Sequence, residues 1–240
     1  MTNSENNNGQ TMKTIGILGG LGPQATMDLE MRLHKVAQQM IPQEKNSGYP
    51  LMAVQYYRHA PVLLVDEDTP LVPFQPDPRL LKVAGNLGAI ADFLLIASNG
   101  VHLLQREIEE ASGRKVLSMI DATLEEVRAK GWKKVGVLGL MNSMVYTVRM
   151  DKMRIAYETI DNELQEKLNQ AIFRVMEGTE DEADHAIAIE TVNQLRNKNV
   201  DGIIPGCTEI PLLLKENMNA ADILNPAQLV AEAAIKYSLS

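Results

Sequence analysis

The sequence predicts an α/β fold of parallel βαβ units, and three observations predict it. From Lys13 onward, short apolar runs alternate with longer amphipathic stretches, the pattern of buried strands joined by crossover helices. The 240-residue chain is long enough for one large domain or two small ones, each with its own core. A weak internal repeat then favours two related halves over a single sheet.

The elements follow in order. Thr14–Leu18 reads as a buried strand ended by Gly19-Gly20, and Thr26–Gln39 as a helix. Leu51–Tyr56 is strand-like. Prolines at 70, 73, 76 and 78 mark a loop. Leu80–Leu87 is helical, Phe93–Ile96 a strand, Leu103–Ser112 a helix, Val116–Met119 a strand and Ala122–Lys130 a helix. Lys134–Leu138 is the next strand. An amphipathic stretch over Val145–Met176 is broken near Glu158–Asn162. Asp181–Asn197 is a helix, Gly202–Ile204 a strand and Ala227–Tyr237 the last helix. Residues 1–11, rich in Asn, Ser and Thr, read as a disordered tail.

Composition narrows the function. The formal net charge of −8 argues against nucleic acid, whose binding needs clustered Lys and Arg. It leaves room for a small anion held by one or two local cations. No apolar run reaches the roughly 18–20 residues that span a bilayer, and the N-terminus lacks the apolar core of a signal peptide. A single cysteine forms no internal disulfide, so a cytoplasmic location is expected. No nucleotide-loop signature and no metal-ligand spacing is present, so neither cofactor nor metal is expected.

The repeat locates the chemistry. Lys13-Thr14-Ile15-Gly16-Ile17-Leu18-Gly19-Gly20 matches Lys133-Lys134-Val135-Gly136-Val137-Leu138-Gly139-Leu140, 120 residues later. Asp92-Phe93-Leu94-Leu95-Ile96-Ala97-Ser98-Asn99 matches Asp201-Gly202-Ile203-Ile204-Pro205-Gly206-Cys207-Thr208, 109 residues later. The order is kept, which implies duplicated halves. Ligands of parallel α/β sheets sit beyond the carboxyl ends of the strands, where Ser98 and Cys207 both fall. Halves facing each other across a cleft would set these two residues on opposite sides of one carbon. A thiol near a cation or a helix start is a workable base, and N–H groups around 207–209 offer a carboxylate site. A buried structural cysteine is the competing reading.

Gly206-Cys207-Thr208-Glu209-Ile210-Pro211 resembles the second catalytic motif of the aspartate/glutamate racemase superfamily. Ile15-Gly16-Ile17-Leu18-Gly19-Gly20-Leu21-Gly22-Pro23-Gln24-Ala25-Thr26 resembles its N-terminal motif. Ala97-Ser98-Asn99-Gly100-Val101-His102 stands where its first catalytic motif, typically Cys-Asn-Thr-Ala-His, is expected. The resemblance runs from about Met12 to the C-terminus. It implies two pseudo-symmetric flavodoxin-like halves with parallel sheets and the active site in the cleft between them. Residues 12–117 form the first half, joined by 209–240, and 118–208 form the second. It also implies a homodimer and proton transfer without pyridoxal phosphate or metal.

Carried over residue by residue, the resemblance makes Cys207 the thiolate acid/base, with Ser98 opposite it. Ser98 departs from the family's first cysteine, and a hydroxyl is a far weaker acid than a thiol. Asn99, Gly100, Thr208 and Glu209 match substrate-binding positions. Lys167 resembles a lysine that reaches a distal carboxylate, and Arg58, after the Leu51–Tyr56 strand, offers a bidentate clamp. His102 orients the first motif or packs at a helix start. Ser143 and Asn142 match a substrate-binding place loosely. The function this implies is racemisation of aspartate, glutamate or a related amino acid. Alternatives are a single-cysteine decarboxylase, a cis–trans isomerase of a dicarboxylate, and a catalytically silent dicarboxylate-binding protein.

Overall fold

The computed structural model describes residues 12–42, 48–66 and 69–240, so the expected tail, 1–11, lies outside the described residues. The strands are β1 (Ile15–Gly19), β2 (Met52–Tyr56), β3 (Phe93–Ile96), β4 (Lys134–Leu138), β5 (Ala156–Glu158) and β6 (Gly202–Pro205). The helices are α1 (Pro23–Met40), α2 (Pro78–Gly88), α3 (Gln105–Ser112), α4 (Met119–Ala129), α5 (Met144–Met153), α6 (Asn162–Glu177), α7 (Glu182–Asn197), α8 (Ile210–Leu214) and α9 (Pro226–Ser238). Among the described residues, no helix is long and apolar enough to cross a membrane.

The chain divides into two compact units, one reaching Ser118 and completed by Val230–Ser240, the other spanning Met119–Leu229. Each unit carries a parallel three-stranded sheet, ordered β2-β1-β3 in the first and β5-β4-β6 in the second. β1, β3 and β6 are buried along their length, and β4 is buried after Lys134, as expected when helices cover both faces of a parallel sheet.

The repeat is preserved bond by bond within each unit. Asp92 N–H donates to Thr14 O at 2.9 Å, while its carboxylate takes Thr14 N–H at 2.7 Å. Asp201 N–H donates to Lys134 O at 2.7 Å, while its carboxylate takes Lys134 N–H at 2.9 Å. A further parallel bridge extends each sheet, Leu94 with Val116 in one and Ile203 with Ile223 in the other. Farther along, Ala97 N–H reaches Leu18 O at 3.0 Å and Gly206 N–H reaches Leu138 O at 2.6 Å. Ser98 and Cys207, each the next residue, therefore occupy equivalent places in two copies of one topology.

Three expectations change. Residues 209–229 were assigned to the first half, but Ile210, Leu213, Leu214 and Ile223 pack with Leu138, Leu168 and Ile203 in the second unit's core. The part that does return to the first unit is held by Lys13 N–H on Ser238 O at 2.9 Å and by Tyr237 edge-on to Phe93 at 5.0 Å. Val116–Met119 is a single bridge rather than a strand, because α4 takes over at Met119. The break expected near Glu158–Asn162 starts earlier, at Arg154 after α5, and takes in β5, a three-residue edge strand too short for periodicity to reveal.

Small residues set the spacing in the sheets. A Cβ on Gly202 would lie 2.1 Å from ring atoms of Trp132, which packs on the second unit's core. Gly202→Ala is expected to destabilise the protein by about 1–3 kcal/mol through overpacking. A lowered urea midpoint checks this, and an unchanged midpoint would refute it.

Candidate active site

The carboxyl edge of the second sheet carries Cys207, the chain's single cysteine. Gly206 is needed there because a Cβ would meet Ser143 Oγ at 2.4 Å and Leu138 O at 2.9 Å. That close approach lets the chain turn directly into α8, a five-residue helix with Pro211 in its first turn, where proline is tolerated. Cys207 is 9% exposed and its thiol donates to Glu209 Oε2 at 3.0 Å. Thr208 Oγ1 donates to the same carboxylate oxygen at 3.0 Å.

Burial pushes the Cys207 thiol well above its ordinary range, and the negative charge and hydrogen bond of Glu209 push it further. Backbone N–H groups of Glu209 and Leu140 act the other way, because they favour the thiolate. Glu209 is only 2% exposed, and burial raises its carboxyl too, against the hydrogen bonds from Cys207 and Thr208. Thiol and carboxyl are thus one coupled pair. Two full negative charges are disfavoured there, so the pair keeps a proton between them.

The other anticipated residues of the second unit have surroundings of their own. Glu209 Oε2 accepts from both Cys207 and Thr208, so this carboxylate oxygen is engaged beside the thiol. Lys167 does not join the pair: it lies on the outer side of α6, about half exposed, ion-paired with Glu163 at 2.8 Å. The buried stripe of α6 passes instead through Leu164, Gln165 and Leu168. Gln165, which sequence reasoning missed, donates to Gly139 O at the end of β4 at 2.9 Å and to Asn169 Oδ1 at 2.7 Å. Its signal was a glutamine at an apolar-face position of an amphipathic helix. Ser143 is buried and donates to Leu138 O at 2.8 Å, so it braces the β4 end.

The first unit presents the equivalent edge. Ser98 is partly exposed, and its carbonyl lies 2.8 Å from Nδ1 of buried His102. His102 therefore steadies the backbone that carries Ser98. Asn99 is buried and Gly100 is exposed at the 3-10 turn that follows. The glycine-rich N-terminal motif is a folded turn: Gly20, at φ +82°, donates to Thr26 Oγ1 at 2.9 Å, and Thr26 in turn bonds Gly22 O at 3.1 Å. Arg58 donates to Gly20 O at 2.9 Å, which sets its guanidinium on the same sheet edge as Ser98.

A buried thiol bonded to a carboxylate thus stands at the strand end of one copy of a duplicated α/β topology. The chain matches the family model described as Asp/Glu/Hydantoin racemase over residues 18–234. It belongs to the Asp/Glu/Hydantoin racemase family, and so to the isomerases. It is 22% identical to the broad-specificity amino-acid racemase RacX of Bacillus subtilis, over 94% of this chain and 98% of that one. In fold it is similar to a putative Asp/Glu racemase from Yersinia pestis, with a TM-score of 0.72 and 21% identity over 95% and 100% of the two chains. An aspartate racemase homologue from Pyrococcus horikoshii also has a TM-score of 0.72, with 22% identity over 95% and 99%.

Proposed function

We propose that this protein racemises a small amino acid of the aspartate or glutamate type without a cofactor, as a cytoplasmic homodimer. The observation that carries the reading is the equivalence of Ser98 and Cys207, each following the same backbone bond at the end of the same strand in a repeated topology. Racemisation needs a group on each face of the α-carbon, and a duplicated half supplies one per copy.

Cys207 and Glu209 do the first step. The proton moves from Sγ to the carboxylate along their 3.0 Å hydrogen bond, leaving a thiolate that takes the α-proton. Negative charge then develops on the substrate carboxylate as the α-carbon becomes planar. Asn99 and the backbone N–H of Thr208, whose hydroxyl is spent on Glu209, are proposed to donate to it, and Arg58 to hold a substrate carboxylate. Ser98, directly or through a water, returns a proton to the other face. Because a hydroxyl is a far weaker acid than a thiol, the two directions run at different rates at low conversion.

The test is incubation of each enantiomer of aspartate, glutamate and a panel of neutral amino acids in deuterated water. Loss of optical rotation with one deuterium gained at the α-carbon is the expected result. Maleate isomerisation, or loss of CO2 from malonates, without α-exchange on any amino acid would replace this reading with another chemistry.

A further inference from the structure

We propose that the second unit carries a separate anion site at the amino-terminal edge of its sheet, built to take a small phosphate monoester with an apolar body. The site is a cavity of about 230 Å3 lined by Arg128, Gly131, Trp132, Lys133, Met153, Arg154 and Ile155. Lys133 immediately precedes β4 and Ile155 immediately precedes β5, whereas Cys207 follows β6. In parallel strands this puts the cavity and the thiol at opposite ends of one sheet, about 13 Å or more apart by strand rise. The cavity therefore belongs to neither the reacting thiol nor the groups that flank it.

Charge is the first argument. Arg128, Lys133 and Arg154 are exposed; no ion pair or side-chain hydrogen bond of Arg128 or Arg154 is found among the described residues, while the charge of Lys133 acts on Asp201 and helps hold its carboxyl down. The cavity also meets the C-termini of α4 and α5, which carry about −0.5 charge each. Asp201 lies nearby, its carboxylate bound to the backbone N–H groups of Lys133 and Lys134 at 2.6 and 2.9 Å. Three full positive charges still exceed these together. Two helix-end cations would suffice to balance the dipoles, so the surplus is left for a ligand.

Shape and surface are the second argument. Trp132, Met153 and Ile155 supply an apolar wall that bare phosphate would leave uncovered. The volume fits several water molecules, at about 30 Å3 each, and hence a headgroup with a short carbon chain but not a nucleotide. Two guanidinium forks beside a lysine suit a dianionic headgroup better than a single carboxylate. A second cavity of the same unit, about 260 Å3, lacks this surplus: its Arg196 is already closed on Asp222 at 2.7 and 2.8 Å.

Trp132 is the chain's only tryptophan, so its fluorescence reports on the site directly. The intact protein is titrated with n-butyl phosphate, inorganic phosphate and butyrate. A saturable change in emission is expected, tightest for n-butyl phosphate and weakened by added salt. Arg154→Gln and Lys133→Gln are each expected to weaken n-butyl phosphate by about tenfold. Both are exposed, and unchanged urea midpoints confirm that they fold. No saturable change up to about 10 mM n-butyl phosphate, or equal affinity in both variants, overturns the site. Equal or tighter binding of butyrate overturns the dianion assignment, and equal binding of inorganic phosphate overturns the apolar wall.

Discussion

Cys207→Ala should lower the rate of α-hydrogen exchange by about 10²- to 10⁴-fold, the range that a positioned general base supplies. The side chain is small and nearly buried, and it packs in a core that includes Leu138, Leu168 and Ile210. Removing one sulfur there costs little stability, so a changed urea midpoint would not account for a loss of this size. Cys207→Ser is expected to fall almost as far, because a hydroxyl gives up its proton far less readily than a thiol. Ser98→Ala should separate the two faces. Exchange on the face served by Cys207 continues, while inversion slows, so deuterium appears in the starting enantiomer faster than the mirror product accumulates. The measurement is deuterium incorporation beside chiral separation of the products. Exchange at the normal rate in Cys207→Ala would end the thiolate mechanism.

The site was legible in the sequence to the extent that it depends on strand ends. A buried parallel strand is a run of apolar residues, and the residue just beyond it has to sit at the sheet edge. Ser98 and Cys207 were found in this way, as was the duplication that relates them. Side-chain reach was not legible. Lys167 and Gln165 are two residues apart on α6, roughly 200° around the helix axis at 3.6 residues per turn, so they show opposite faces. Lys167 points outward to Glu163, whereas Gln165 bonds the end of β4. The bond from Cys207 to Glu209 was not legible either, because it depends on how the turn into the short α8 aims the Glu209 carboxylate. The boundary at 209 failed because a five-residue helix and the turn after it carry no period, although their apolar residues bury themselves in the second unit.

Glu209→Gln should change the pH profile more than any other conservative substitution. An amide oxygen can still accept from Cys207 and Thr208, so the geometry is preserved and only the capacity to take a proton is lost. On the proposed mechanism the pair of the parent protein shares one proton, and the thiolate forms by internal transfer. Activity is then level through neutrality and falls in acid as Glu209, its carboxyl raised by burial, takes a second proton. In Glu209→Gln the thiol has to lose its proton to solvent. Removing the negative charge lowers the thiol from its wild-type value, but burial is the larger cause of the elevation and remains. The variant should therefore be slow at neutral pH, by about 10²-fold, and regain activity as the pH rises. Glu209→Ala should lose the hydrogen bond as well and recover less. The sign is the decisive feature. A carboxylate that merely repelled the thiolate would, when neutralised, make the enzyme faster at neutral pH, and that result would exclude Glu209 as the proton acceptor.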